Sequence, residues 1–259
     1  MAQVRKAFRL DGPVVLGTIG ILAILAVWQI LASLGAINPI VASSPLLLLD
    51  QFGPMWASGQ LPGALAASGI EFAVALALTL AVGGAIGFIM YSRKVFEFAL
   101  DPIVWFVYIA PIVTLYPIFI IWFGLGRPAA IATGFILGVA PVAINTKAGL
   151  ESTDRLLVRA AAAFGASRGF VLRHVVLPYS VPIIMAGVRL AVGRVIIGVI
   201  VGEMFGGNQG FGYVIAYYGG LLRTTNVMVA ICTLVVAGIA ITQLVRALEA
   251  WCSRWRRTA

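Results

Sequence analysis

Long apolar runs with few charged residues alternate with short polar segments along this chain. About 20 apolar residues of α-helix cross the hydrocarbon core of a bilayer, so each run is long enough to span a membrane. Six spanning helices are predicted, over residues 14–36, 70–91, 102–125, 128–146, 181–205 and 225–246. Residues 45–67 contain Asp50, Pro54 and Pro62, and are predicted to form a short amphipathic stretch at the membrane surface.

The composition agrees with a polytopic membrane protein. The 259 residues are 61% hydrophobic and only 10% charged, with a mean hydropathy of +1.05. A soluble domain carries about 25% charged residues, and so few charges could not cover a water-soluble globule of this length. The sequence therefore predicts an all-α protein with about six transmembrane helices.

Lysine and arginine residues are distributed unequally between the two sides of this predicted arrangement. Fourteen lie at the termini, between the second and third spans, or between the fourth and fifth spans. Only Arg127 and Arg223 lie on the opposite side. Since cytoplasmic loops are enriched in cations, both termini are expected to be cytoplasmic. The net charge of +9 is accordingly interpreted as an orientation signal, and no nucleic-acid partner is expected.

The chain is expected to form a single membrane domain with cytoplasmic ends. Residues 1–13 are assigned to a cytoplasmic N-terminus, residues 14–250 to the membrane domain and residues 251–259 to a basic cytoplasmic tail. Within the membrane domain, residues 147–180 are expected to form the longest cytoplasmic loop, because they carry five of the cations.

Residues that would support catalysis or ATP hydrolysis are missing from the sequence. No lysine follows a glycine, so there is no GxxxxGK[ST] phosphate-binding loop. His174 is the only histidine, and no His, Cys and carboxylate cluster has the spacing of a metal site. No catalytic residue, metal site or bound cofactor is predicted. The energy for transport must come from an ion gradient or from another subunit.

The segment between the fourth and fifth spans has the features of two short helices. Asp154 is placed to cap a helix over residues 153–164, and Gly165 is placed to end it. A second helical piece is predicted over residues 167–176, before Pro178 breaks the chain. A short alanine-rich helix outside the membrane has little core of its own, so it is expected to need a partner surface.

This segment resembles the loop signature of permease subunits of ATP-binding-cassette (ABC) importers. The signature is Glu-Ala-Ala, three residues, Gly, nine residues, then Ile-x-Leu-Pro. Here Ala160-Ala161, Gly165 and Leu177-Pro178 match at that spacing, and Arg159 stands where the family has Glu. The chain is similar to the branch that includes nitrate, sulfonate, taurine and thiamine-precursor permeases. That similarity also rests on residues 101–102, 111, 117, 122–126, 145, 149, 187–189, 201–203 and 210–213.

The resemblance implies a type I ABC importer permease fold in a multi-pass protein of the bacterial inner membrane. The residues implied for a coupling loop on a cytoplasmic ATPase dimer are Arg159, Ala160, Ala161, Gly165, Leu177 and Pro178. That partner would bind the ATP. A periplasmic or lipid-anchored binding protein would deliver the solute, and a second permease copy would complete a homodimer within membrane lipid. The implied substrate is a small anion, a sulfonate or a heterocyclic vitamin precursor.

Four residues are candidates for the translocation pathway, namely Arg194, Glu203, Asn145 and Pro111. At about 1.5 Å per residue from Val181, Arg194 would lie roughly 20 Å deep in the fifth span. It is expected either to attract an anionic solute or to pair with a neighbouring group. Glu203 is expected to orient the glycine-rich segment after it. Pro111 is expected to kink the third span, either to shape the pathway or as ordinary packing.

A secondary transporter driven by an ion gradient is the alternative function. It would need acidic residues inside the membrane and an inverted internal repeat. The sequence indicates neither, because Glu71 is expected to be solvated near one end of the second span and no repeat is evident. A membrane-embedded enzyme is disfavoured because no convergent catalytic groups are found.

Overall fold

The computed structural model describes residues 12–38 and 41–252, and every regular element in these two ranges is helical. Nearly all of the predicted N-terminus 1–13 and of the tail 251–259 lies outside them. The helices are α1 (Gly12–Ser33), α2 (Pro45–Ala57), α3 (Gln60–Ser92), α4 (Lys94–Ile109), α5 (Tyr116–Phe123), α6 (Arg127–Glu151), α7 (Arg155–Ala163), α8 (Arg168–Val171), α9 (Leu177–Gly206), α10 (Gly210–Gly220) and α11 (Thr224–Cys252). A 3₁₀ turn (Ile112–Leu115) precedes α5, and a π-helical turn (Leu172–Val176) precedes α9.

Five helical segments of the described chain are long and apolar enough to cross a membrane. They lie in α1, α3, α6, α11 and the stretch Arg168–Gly206, which includes α9. A sixth candidate combines α4 with the residues Ile112–Phe123, which the chain reaches through a bend of 89°. The all-helical prediction is confirmed, and the predicted six spans are found if the bent pair counts as one.

The second span begins earlier than predicted. Residues 45–67 do not form one stretch at the surface, because α2 ends at Ala57 and α3 starts at Gln60. Pro62 lies in the first turn of α3, where a backbone N–H would have no acceptor within the helix, so its absence in proline costs no hydrogen bond. Leu61 and Ala64 are buried against α10 and α11, so tertiary packing extends this helix toward its N-terminus.

The third span is broken, and its prediction as one continuous helix over 102–125 is wrong. α4 already starts at Lys94 and ends at Ile109, and Pro111 stands at the bend before the 3₁₀ turn. Proline has no N–H to continue the helical ladder, which explains the break at this point. Pro117 causes no kink, because it occupies the first turn of α5.

Pro178 does not interrupt the helix, contrary to the prediction. The preceding π-helical turn is wider than an α-helix, and the Leu177 N–H donates to the Leu172 carbonyl. In a regular helix the proline ring would clash with the carbonyl four residues earlier, and the wider turn avoids this clash. The chain therefore stays helical from Arg168 to Gly206.

Small residues bring α3, α6 and α9 into close contact. An added Cβ at Gly198 of α9 would lie 2.6 Å from the Gly134 Cα of α6, and one at Gly138 would lie 2.9 Å from Thr79 of α3. Gly83 of α3 likewise faces the Val139 carbonyl of α6. In lipid, helices associate through such close van der Waals contact. These three helices form the centre of the bundle.

Helix α1 lies at the periphery. Trp28 Nε1 donates to the Ser43 carbonyl at 2.9 Å, and the Leu46 N–H donates to Gln29 Oε1 at 3.2 Å. These bonds hold α1 beside the start of α2. The rest of its surface exposes apolar side chains, as a helix in contact with lipid does.

Replacement of Gly198 by Ala should destabilise the protein, because the new methyl group would overlap the backbone of α6. The expected loss is about 1–3 kcal/mol, the typical cost of overpacking, and thermal unfolding in detergent measures it. Gly193→Ala on the same helix is the matched control, since nothing lies within 4 Å of a Cβ there. An equal effect of both substitutions would contradict the proposed α6–α9 contact.

Candidate coupling loop and buried polar sites

Helix α7 forms where the sequence predicts it. Asp154 Oδ1 accepts from the Leu156 N–H at 2.8 Å and caps the N-terminus. The helix ends at Ala163, and Gly165 follows with φ +81°, a left-handed conformation that favours glycine. The structure therefore contains the predicted N-terminal cap at Asp154, the helix itself and the predicted C-terminal glycine at position 165.

The two faces of α7 have different surroundings. On the inner face, Val158 and Ala161 pack against a cluster that includes the buried Leu150, Val171 and Val176. On the outer side, Leu156 is 70% exposed and the adjoining Phe164 is 93% exposed. Ala160 and Arg159 are also exposed. No residue of α7 is buried, so its outer face offers apolar surface that no described part of this chain covers.

The α7 segment is connected closely to two spans. Helix α6 continues to Glu151, only a few residues before α7, so the predicted loop 147–180 includes the last turn of α6. After α8 the helical path continues without a break into α9. Leu177 and Pro178 therefore lie at the start of α9 and not on the surface of α7. A displacement of α7 would act directly on α6 and α9.

An ion-pair network joins α4 to the end of α6. Lys147 Nζ lies 2.8 Å from Glu97 Oε1 and 3.7 Å from Asp101 Oδ1, and Lys94 Nζ lies 2.6 Å from Glu97 Oε2. The Lys147 side chain is only 17% exposed. From the sequence alone, Lys94 and Lys147 indicated only the orientation of the chain. Glu97 and Asp101 are four residues apart on one helix face, and that spacing could have indicated an acidic pair.

Arg194 pairs internally at the bend between α4 and α5. Its guanidinium carbon lies 4.1 Å from the centroid of the Tyr108 ring, and Nη1 donates to the Tyr108 carbonyl at 3.2 Å. That carbonyl is in the last turn of α4, where helical partners are lacking. Arg194 thus anchors α9 to the broken span, and it remains only partly buried.

The other two membrane positions predicted for the pathway have different environments. Pro111 is exposed at the bend. Asn145 Nδ2 donates to the Pro141 carbonyl at 2.8 Å, in the contact between α6 and α9. An added Cβ at Gly187 would overlap Asn145. The structure brings Pro111 near Arg194 through Tyr108, whereas Asn145 belongs to a helix contact.

Glu203 holds the start of α10. Its Oε1 accepts from Ser68 Oγ at 2.6 Å, and its Oε2 accepts from the Gly212 N–H at 2.7 Å. Ser68 Oγ also accepts from the Phe211 N–H at 2.9 Å. Two free N–H groups in the first turn of α10 are thus capped by side chains of α3 and α9. The expectation that Glu203 orients the glycine-rich segment agrees with this geometry.

Glu203 does not face an open pathway in this conformation, because it is 1% exposed. Glu71 is also 1% exposed, so the expectation that it is solvated is wrong. Its Oε1 lies 3.6 Å from Arg127 Nε, and its carboxyl group contacts that of Glu203. The protein therefore has the buried acidic pair that the sequence did not indicate. Ser68 and Glu71 are three residues apart on one face of α3, a spacing that could have revealed the site.

Within residues 12–38 and 41–252, no group of three His, Cys, Asp or Glu residues could hold a metal ion. Several carboxylates of the described residues pair with cations, and Glu203 accepts from hydrogen-bond donors. Arg189 Nη2, for example, lies 2.8 Å from Glu249 Oε2 and joins α9 to α11.

Known transport proteins are similar to this helical bundle in sequence and in fold. The family of binding-protein-dependent transport system inner membrane components matches residues 73–257. The taurine transport system permease protein TauC of Escherichia coli (strain K12) is 30% identical over 244 residues, which cover 92% of this chain and 89% of TauC. A permease of Bacillus subtilis (strain 168), SsuC, named for aliphatic sulfonates transport, is 30% identical over 235 residues, or 91% and 85% of the two chains.

The fold is similar to that of a chain of the MetNI methionine ABC transporter in inward-facing conformations. The TM-score is 0.60 at 19% sequence identity, and the match covers 74% of this chain and 98% of the other. This chain belongs to the family of binding-protein-dependent transport system inner membrane components. It is a multi-pass permease component of the inner membrane, it is not catalytic, and the ATPase of such a transporter is a separate subunit.

Ser68→Ala should weaken the attachment of α10. The substitution leaves the buried Phe211 N–H without its acceptor and Glu203 Oε1 without a donor, and an unsatisfied buried group costs about 1–3 kcal/mol. Ser92→Ala on the same helix is the control, because Ser92 is exposed and bonds only within its own turn. Thermal unfolding of both variants in detergent measures the difference. Equal midpoints would contradict a structural role for Ser68.

Proposed function

We propose that this chain forms half of the solute pathway of a bacterial ABC importer and that α7 docks onto a cytoplasmic ATPase. The proposed orientation puts both chain termini and α7 in the cytoplasm, because most lysine and arginine residues lie on that side. The beginning of α10 then lies at the periplasmic end of the bundle. A periplasmic or lipid-anchored binding protein is the proposed donor of the solute.

The exposed outer face of α7 is the observation that carries this proposal. A nine-residue helix with no buried residue is too short to be stable through its own hydrogen bonds, so it needs contacts outside itself. Its inner face has such contacts in the bundle. Its outer face, together with Phe164, presents an apolar surface suited to a cleft in another protein.

Coupling follows from the connections of α7. If ATP binding draws two ATPase subunits together, the two docked α7 helices move with them. This motion passes through residues 164–167 into the continuous helix Arg168–Gly206, which includes α9, and it reaches α4 through the Lys147–Glu97 pair at the end of α6. ATP can shift the bundle between inward-facing and outward-facing states only if these contacts differ in free energy between the states.

A second copy of the chain is the proposed partner within the membrane. Helix α9 packs against α6 along one side, yet Leu190, Ile197 and Phe205 of the same helix are all more than half exposed. Arg194 lies between the first two of these residues. A homodimer would bring two such surfaces together around a central pathway, with the bent third span beside each.

The proposed substrate is a small anion that carries a sulfonate or a similar group. Two relatives are named for taurine and for aliphatic sulfonates. Arg194 is the cation of α9 next to the bend, and arginine suits planar or tetrahedral oxyanions through its forked donors. A heterocyclic vitamin precursor is the competing substrate class, and an uptake assay with both kinds of solute distinguishes them.

The buried pair Glu71 and Glu203 favours one alternative, a secondary transporter driven by an ion gradient. Uptake into proteoliposomes separates the two functions. The importer requires its ATPase, its binding protein and ATP, whereas a secondary transporter would accumulate solute with an ion gradient alone. ATP-independent accumulation by the purified chain would reject the proposal.

Ala160→Arg should abolish ATPase docking without unfolding the permease. Ala160 is exposed on α7, so the larger side chain fits in the isolated chain but obstructs a partner cleft. We expect co-purification with the ATPase and ATP-driven uptake to fall at least about tenfold, which corresponds to about 1.4 kcal/mol. Ala57→Arg, at an exposed position at the end of α2, is the matched control and should retain both activities.

Arg194→Ala and Arg194→Lys should both raise the KM for uptake of an anionic solute. Lysine keeps the charge but loses the forked donor geometry, so Arg194→Lys should show the smaller effect. ATP-driven uptake at several solute concentrations gives KM and maximal rate separately. Normal KM and rate in both variants would end the idea that Arg194 contacts the solute.

A further inference from the structure

We propose that Glu71 and Glu203 bind one proton between them, and that Glu71 carries this proton. The two carboxyl groups are in contact, and both residues are 1% exposed. This site is at the end of the bundle away from α7, where α9 ends and α10 begins. The inference concerns a binding site for a proton and is independent of the proposed transport function.

The charge of the cluster requires a proton. Two carboxylates and Arg127 would carry a net charge of −1, and both carboxylates are buried, whereas the Arg127 side chain is partly exposed. Burial of an uncompensated charge is costly, and it is especially costly inside a membrane. Two carboxylates in contact also repel each other, which is the usual reason that such pairs retain one proton. One bound proton makes the cluster neutral.

The hydrogen bonds around the two carboxyl groups indicate that Glu71, and not Glu203, carries the proton. Both oxygens of Glu203 already accept hydrogen bonds, from Ser68 Oγ and from the Gly212 N–H. Glu203 also lies at the N-terminus of α10, where a negative charge is favourable. Glu71 differs, because its Oε2 is buried and has no hydrogen-bond partner. A proton on this oxygen would donate to Glu203 and would satisfy the unpartnered atom.

The remaining groups around the pair are consistent with one proton. Arg127, the first residue of α6, lies 3.6 Å from the other oxygen of Glu71. Tyr116 of α5 faces the same region and donates its hydroxyl hydrogen to the Gly202 carbonyl at 2.7 Å, so it cannot also donate to Glu71. From α10 only backbone N–H groups reach the site. No second cation from the described elements compensates the pair.

The bound proton has a structural consequence. With one proton the pair and Arg127 are neutral together, which lets α3 and α9 approach closely enough for Ser68 and Glu203 to cap α10 together. Gly210 fits this arrangement, because an added Cβ there would overlap the Glu203 carboxyl group. Loss of the proton would force the two carboxylates apart and would release the first turn of α10 from α3.

Infrared spectroscopy of the full-length chain in lipid nanodiscs tests the proposal at neutral pH. The carbonyl stretch of a protonated carboxyl group should appear in the wild-type protein and should be lost in Glu71→Gln. Glu151→Gln, at an exposed carboxylate at the other end of the bundle, is the matched control and should leave the band unchanged. Persistence of the full band in Glu71→Gln would overturn the proposal.

Thermal unfolding of the same samples gives a second readout. Glutamine at position 71 can donate to Glu203 as the protonated acid does, so Glu71→Gln should keep the wild-type midpoint. Glu203→Gln should lower it, because an amide cannot accept from both Ser68 and Gly212. Failure of Glu71→Gln to fold, or the reverse order of the two midpoints, would contradict the assignment. A midpoint that rises specifically with added Na⁺ at constant ionic strength would indicate a bound metal cation in place of the proton.

Discussion

The close contact between α6 and α9 holds the centre of the helical bundle together. Gly198 lies against the backbone of Gly134, and no larger residue fits at that point. Inside lipid the apolar faces of two helices gain no hydrophobic free energy by leaving water, so close packing must supply much of the attraction. This contact holds together the two helices that flank α7.

The same pair of helices connects the distant ends of the protein. From Leu177 to Glu203, α9 rises by about 40 Å at 1.5 Å per residue. Its first end is continuous with α8, its middle holds the broken span through Arg194, and its last turn carries Glu203. A tilt of α9 would therefore change the environment of all three places together.

Ion pairs and side-chain hydrogen bonds to the backbone determine which helix surfaces meet, which apolar packing alone would not determine. Near α7, the network of Lys147, Glu97 and Asp101 fixes α4 to α6. At the opposite end, Ser68 and Glu203 satisfy backbone groups of α10. In a low-dielectric surrounding each unsatisfied group is costly, so these bonds specify which surfaces meet. Apolar side chains by themselves would permit many alternative arrangements.

Local signals in the sequence were sufficient for the approximate positions of the spans and for the limits of α7, but not for the break in the third span. The apolar runs indicated the spanning helices because the bilayer imposes a minimum length of apolar helix. Asp154 and Gly165 defined the limits of α7 because capping and left-handed geometry depend on neighbouring residues only. The proline signals were less reliable. Pro111 marks a real break, whereas Pro178 lies in a continuous helix since a π-helical turn precedes it.

The all-helical class, the approximate spans, the loop helix and the family signature could be predicted from the amino-acid sequence, because each depends on composition or on residues close together in the chain. The surroundings of the charged residues could not be predicted, because they depend on how the helices pack. Glu71 and Glu203 are 132 positions apart, and Arg194 reaches a carbonyl 86 positions away. Such partners meet only after the helices have packed, and burial then decides whether a carboxylate remains solvated or shares a proton with its neighbour.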